Sequence, residues 1–112
     1  MADKFIDWQG NSGRSYRYEF VDMSLPFRAV GGNYAFVRHL PNGNFIPLYF
    51  GESGDLSQRM PGHKVWAKAL SFGATHAMAH ATPAGYLSRL AEEQDLIAYW
   101  NPALNTQHRT TG

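Results

Sequence analysis

Two tyrosines, an arginine, a histidine, a glutamate and an asparagine carry the chemistry this chain can offer. Tyr34 and Tyr49 lie in short strand-like runs, Gly32-Asn33-Tyr34-Ala35-Phe36-Val37 and Leu48-Tyr49-Phe50-Gly51. Arg59 and His63 follow at a predicted helix start, Glu93 sits in a later helix, and Asn105 comes near the end. Cysteine is absent, which excludes thiol nucleophiles, disulfides and thiolate zinc sites together. The remaining set suits hydrolysis of a phosphodiester with one metal ion. A guanidinium can fork across two phosphate oxygens and offset the charge of a transition state. One carboxylate can hold Mg²⁺, with waters and phosphate oxygens completing the octahedron.

The elements that must position these groups follow from punctuation and periodicity. Pro41-Asn42-Gly43-Asn44 separates the strands predicted at 33–39 and 45–51, and Asn-Gly is a strong hairpin signal. The two tyrosine-bearing strands therefore pair antiparallel. Ser53 or Asp55 can cap a helix beginning at Leu56, which Pro61-Gly62 should interrupt before a second helical stretch through Val65, Trp66, Ala69 and Leu70. Residues 75–81 can form a third strand. Thr82-Pro83 reads as a helix start, and Asn101-Pro102 as its end. Residues 1–30 form an extension in which Tyr16, Tyr18 and Phe20 alternate with Arg17 and Glu19; that period of two predicts a half-buried strand and, with the preceding run and Gly-rich turn, a hairpin.

On the late helix, Tyr86, Leu90, Ile97 and Trp100 lie within about 60° of Glu93 at 100° per residue. A carboxylate is thus expected on the face meant for the core, where it needs a metal, a cation or a proton. Each residue also has a purely structural reading. Glu93 could pair with Arg89 or Arg59; the tyrosines could be plain strand aromatics; Arg59 and His63 could be solvated; Asn105 could merely cap. A phenol with its ordinary pKa near 10 lies about three units too high to be a base at neutral pH, roughly 4 kcal/mol, so a nearby cation or a metal-bound hydroxide must help. His39, His76 and His80 do not read as a zinc site, since residues 76 and 80 of one strand are about 13 Å apart.

The ordered set resembles the GIY-YIG nuclease family. Gly32-Asn33-Tyr34 is similar to its first motif and Tyr49-Phe50-Gly51 to its second; Arg59 lies ten residues after the second tyrosine and His63 four later. Glu93, in Glu93-Gln94-Asp95-Leu96-Ile97, and Asn105, in Asn101-Pro102-Ala103-Leu104-Asn105, complete the series. The resemblance covers roughly residues 31–107. Asn33 departs from the usual apolar middle residue, and Glu52 occupies the neighbourhood of a lysine sometimes found there. What the resemblance implies is an α+β domain over 31–112, a small, mainly antiparallel three-stranded sheet packed by helices, with 1–30 as an N-terminal β-hairpin extension. It further implies a metal-dependent endonuclease using Mg²⁺ or Mn²⁺ on Glu93, with DNA as the expected nucleic acid. One of Tyr34 and Tyr49 would be the base and the other would position water or phosphate. Arg59 would stabilise the phosphate, His63 assist proton transfer, and Asn105 hold catalytic groups by hydrogen bonds. The alternative is a catalytically weak module of that type that binds nucleic acid or a protein.

The 112 residues make one domain, with room for a single core. The hydrophobic content of 44% is ordinary, and no apolar run approaches the roughly 18 residues of a membrane span. Met1-Ala2-Asp3-Lys4-Phe5 lacks the order of a secretion signal, so a cytoplasmic home is the expectation. A net charge of +1 is small for a nucleic-acid binder, whose affinity comes from neutralising phosphates. Arg59, Lys64 and Lys68 form the only cationic cluster near the proposed site. Tight binding would need a protein partner or a second copy of the chain.

Overall fold

The computed structural model describes residues 5–108, with side chains as far as Asn105. The chain runs β1 (Phe5–Gln9), β2 (Ser15–Val21), β3 (Gly32–His39), β4 (Phe45–Ser53), α1 (Leu56–Arg59), α2 (Lys64–Ser71), β5 (His76–Ala81), α3 (Tyr86–Trp100) and α4 (Ala103–His108). The β3–β4 hairpin forms as its Asn-Gly turn predicts, and Pro61-Gly62 separates α1 from α2. Asp55 caps α1, its side chain accepting from the Ser57 N–H.

The expected N-terminal hairpin forms as β1 and β2, but the expected three-stranded sheet is incorrect. All five strands form one antiparallel sheet in the order β1-β2-β5-β3-β4. β5 pairs with β3 from Gly32↔Ala81 to Val37↔His76, and its other edge takes β2 from Glu19↔Ala79 to Val21↔Ala77. The physical reason is the apolar face of the N-terminal hairpin. Trp8 and Tyr18 are buried, and a two-stranded ribbon alone could not cover them. Docking on the exposed edge of β5 buries both and satisfies that edge's backbone.

Helices cover both faces. Tyr34, Phe36, Leu48, Ala77 and Ala79 pack with Leu56 and Met60 around α1, Val65 and Ala69 of α2, and Leu104 of α4. On the opposite face Trp8, Tyr18, Ala35, Val37, Phe50 and Met78 pack with Leu96, Ile97 and Trp100 of α3. The β3–β4 register shifts between Phe36 and Val37, which turns Leu48 and Tyr49 together toward the α1–α2 side. No helix among the described residues is long and apolar enough to cross a membrane.

The start of α3 differs from expectation. Thr82 does not cap it; its hydroxyl donates to Asn33 Oδ1 at 2.8 Å, and the helix begins at Tyr86 after Gly85, without a side-chain cap. The core-facing residues also differ. Glu92 and Leu96 are the buried pair, Glu93 is half-buried beside them, and Tyr86 is exposed. A helix start moved by about a turn, and a sheet wider than expected, shift the contact face toward Glu92.

Candidate active site

Four of the six singled-out side chains meet on the α1–α2 side of the sheet. Tyr34 is buried, and its hydroxyl lies 2.7 Å from His63 Nε2. His63 is also the N-cap of α2, its Nδ1 accepting the Val65 N–H at 3.1 Å. An acceptor nitrogen carries no proton, so the neutral imidazole is the Nε2–H tautomer and donates to Tyr34. Arg59 Nε donates to the same oxygen at 3.3 Å and lies within hydrogen-bonding reach of the Tyr49 hydroxyl. With two donors on its oxygen, Tyr34 has its own proton left to turn toward Tyr49, the neighbouring phenol, whose ring centroid is 6.2 Å from its own. The result is a His63-to-Tyr34 hydrogen bond that can continue to Tyr49, flanked by the Arg59 guanidinium.

Glycine makes room for this cluster. Gly51 faces Tyr34 across the β3–β4 ladder, and a Cβ there would overlap the Tyr34 phenol ring. Asn105 acts from the sheet edge. Its Oδ1 accepts the Phe50 N–H at 2.8 Å and its Nδ2 donates to the Phe50 carbonyl at 2.9 Å. A side-chain amide thus stands in for a neighbouring strand and holds the backbone between Tyr49 and Gly51. Asn33, unusual in its position, is fully buried and donates to the Arg89 carbonyl at 2.9 Å. It ties α3 to β3.

Glu93 takes neither of the ion pairs open to it from sequence. Arg89 is bound to Glu52 at 3.0 Å, and Arg59 is directed to the phenols. Among the described residues Glu93 has no salt bridge, and its charge is felt by both Tyr34 and Tyr49. Burial, and secondarily the charge of Glu52, push its carboxyl up to about 7. A half-buried carboxylate with no salt bridge among the described residues fits one ligand of a hydrated Mg²⁺, and the charge of a second acid, Glu52, reaches it. No three histidine or acidic side chains converge on a common point among the described residues.

The phenols move against the requirement for a base. Burial raises the pKa of Tyr34, outweighing the hydrogen bond from Arg59, and burial with the charge of Glu93 raises that of Tyr49. Lys64 and Lys68 stand exposed one turn apart on α2. The other histidines are elsewhere: His39 and His76 pack around Phe45, and His80 contacts Glu92. Sequence reasoning missed Glu52 as a partner in the site, although it directly follows Gly51. It also missed Glu92 and His80, which no local spacing connects. No family model matches the chain, and neither does any curated protein or solved structure.

Proposed function

We propose that the protein is a metal-dependent endonuclease of the GIY-YIG type, hydrolysing phosphodiester bonds in nucleic acid, with DNA as the expected substrate. The observation that carries this reading is the convergence of two phenols, a guanidinium and an imidazole in one cluster. In it His63 and Arg59 bond the Tyr34 hydroxyl and Tyr49 packs beside the rings of Tyr34 and His63, with the charge of a carboxylate that has no salt bridge among the described residues reaching both phenols. Glu93 would hold Mg²⁺ or Mn²⁺, which when bound supplies Lewis-acid polarisation of the phosphate. Arg59 offsets the charge that develops on the phosphoryl oxygens. Tyr49, half-buried beside Tyr34, works as the phenolate, its own proton leaving to solvent beforehand. It then takes the proton of the attacking water as that oxygen bonds phosphorus and the leaving oxygen departs with a proton from solvent. The Tyr34 hydroxyl and Arg59 stabilise the phenolate before the transfer. Lys64 and Lys68 contact the flanking backbone.

The raised phenols and the Glu52 charge beside Glu93 favour a second reading, a catalytically weak module that binds nucleic acid or a protein. A cleavage screen over duplex, single-stranded, branched and RNA substrates with Mg²⁺ or Mn²⁺ separates the two. Nicking that Glu93→Ala abolishes in a folded protein is the expected result. Undiminished cleavage by that variant, or full activity in excess chelator, would overturn the mechanism. Binding of nucleic acid without cleavage of any substrate would establish the second reading.

A further inference from the structure

The residue before Glu93 belongs to a polar cluster that the proposed reaction does not use. Glu92 is 5% exposed, on the sheet side of α3. Its carboxylate accepts the Tyr18 hydroxyl at 2.7 Å, and His80 Nε2 lies 2.9 Å from both of its oxygens. The His80 ring stacks on Tyr18, with centroids 4.8 Å apart and planes 16° from parallel. The second ring nitrogen, Nδ1, lies 2.9 Å from the Arg17 carbonyl oxygen. A carbonyl and a carboxylate can only accept, and a neutral imidazole has a single N–H. With Glu92 ionised, satisfying both contacts requires a proton on each nitrogen.

We propose that His80 is held as an imidazolium, and that its ion pair with Glu92 is the positioning contact that seats α3, and therefore Glu93, on the sheet. The second half of this statement rests on the reading of Glu93 as the metal ligand.

The surroundings of the cluster support a charged His80. β2 contributes the Tyr18 hydroxyl and the Arg17 carbonyl. α3 contributes Glu92, with Glu93 next to it. Asn33, opposite His80 on β3, is engaged with Arg89 and Thr82; Glu19, Asp22 and Arg28 line, together with His80, an open cavity of about 240 Å³. Burial alone would lower the His80 pKa, but the hydrogen bond and charge of Glu92 and the Arg17 carbonyl outweigh it and hold it above the ordinary value. Burial and Glu92 raise Tyr18 well above its ordinary value, so it remains a neutral donor. An acid this deep needs a partner: removing the cation alone would leave an uncompensated buried charge. Two contacts from one carboxylate, a buried one to β2 and a part-buried one to β5, fix both the height and the rotation of α3 at the turn that carries Glu93.

The test uses the full chain. Long-range ¹H–¹⁵N correlation spectra at pH 7 should show both His80 nitrogens protonated, and Glu92→Gln should return the ring to a neutral tautomer. A neutral His80 ring in the unsubstituted protein at pH 7 overturns the ion pair. For positioning, Mn²⁺ alone is titrated by electron paramagnetic resonance. His80→Gln should weaken Mn²⁺ binding about tenfold and raise amide exchange in α3, with His80→Lys recovering part of both. Should His80→Gln fail to fold, His80→Gln/Glu92→Gln removes both charges, and the same weakening is expected of it. Unchanged Mn²⁺ affinity and unchanged α3 exchange in a folded variant overturn the positioning role. A natural chain that binds no Mn²⁺ overturns the metal reading of Glu93 instead, and the imidazolium and α3 exchange measurements then decide the clamp on their own.

Discussion

Replacing Glu93 by glutamine should remove metal binding and, at alkaline pH, stabilise the fold. Its carboxyl is raised from an ordinary 4.5 to about 7, by burial first and by Glu52 second. The folded chain therefore binds this proton more tightly than the unfolded chain. Stability from this group is fully present below about pH 4.5 and is lost as pH rises through about 7. The full difference would correspond to about 3 kcal/mol. Because the carboxylate is only half-buried, solvent screening reduces this to about 1–2 kcal/mol. Glu93→Gln cannot ionise, so at pH 8 it should be more stable by that amount and melt roughly 4–8 °C higher. At pH 5 the two proteins should nearly coincide. Thermal unfolding followed by circular dichroism at both pH values measures the gap. Adding Mn²⁺ at pH 8 should raise the melting temperature of the natural chain and not that of the variant. A variant that melts below the natural chain at pH 8 would refute the reasoning, because Glu93 would then be held by favourable native contacts.

Three further outcomes are expected. Tyr49→Phe should lose cleavage while binding substrate within a few-fold of the natural chain, and Tyr34→Phe should lose less, since His63 and Arg59 remain in place; equal, normal rates in single-turnover assays would remove both phenols from the chemistry. Asn105→Ala should cost about 2–4 kcal/mol in urea unfolding, because two backbone groups of Phe50 lose their partner; a loss under 0.5 kcal/mol would show that water replaces the amide. Gly51→Ala should push the Tyr34 ring out of place, costing about 1–3 kcal/mol, with a changed near-ultraviolet dichroism and cleavage lowered more than substrate binding.

Local signals made much of this molecule legible. Asn42-Gly43 announced the β3–β4 hairpin, Pro61-Gly62 the break between α1 and α2, and Ser53 or Asp55 the cap, of which Asp55 takes the place, each through the few residues around it. The placing of Arg59 and His63 near Tyr34 did not follow from those elements and was implied only by the resemblance. Long-range pairing was not legible. The alternation of Tyr16, Tyr18 and Phe20 identified β2 as a strand, yet nothing in those residues names β5 as its neighbour. The buried acid was misplaced by one residue because helix periodicity gives relative angles, and only the sheet decides which angle faces inward. Likewise, the sequence contains both phenols and the arginine near them, whereas the balance between burial and charge that sets their pKa values exists only in the packed site.

The central place of β5 has a kinetic consequence. Each hairpin, β1–β2 and β3–β4, closes through contacts local in sequence, on the microsecond scale of isolated hairpins. They are joined only when β5, more than 50 residues beyond β2, inserts between them. Until then two long edges, one on β2 and one on β3, present unpaired backbone groups. Loop-closure entropy is spent before these edges are covered, so this insertion is the expected slow step. Such a chain is most exposed to edge-to-edge association while residues 76–81 are still being delivered. Substitutions at Met78, buried between the hairpins, should therefore slow folding more than they speed unfolding, whereas those at Trp8 should do the reverse.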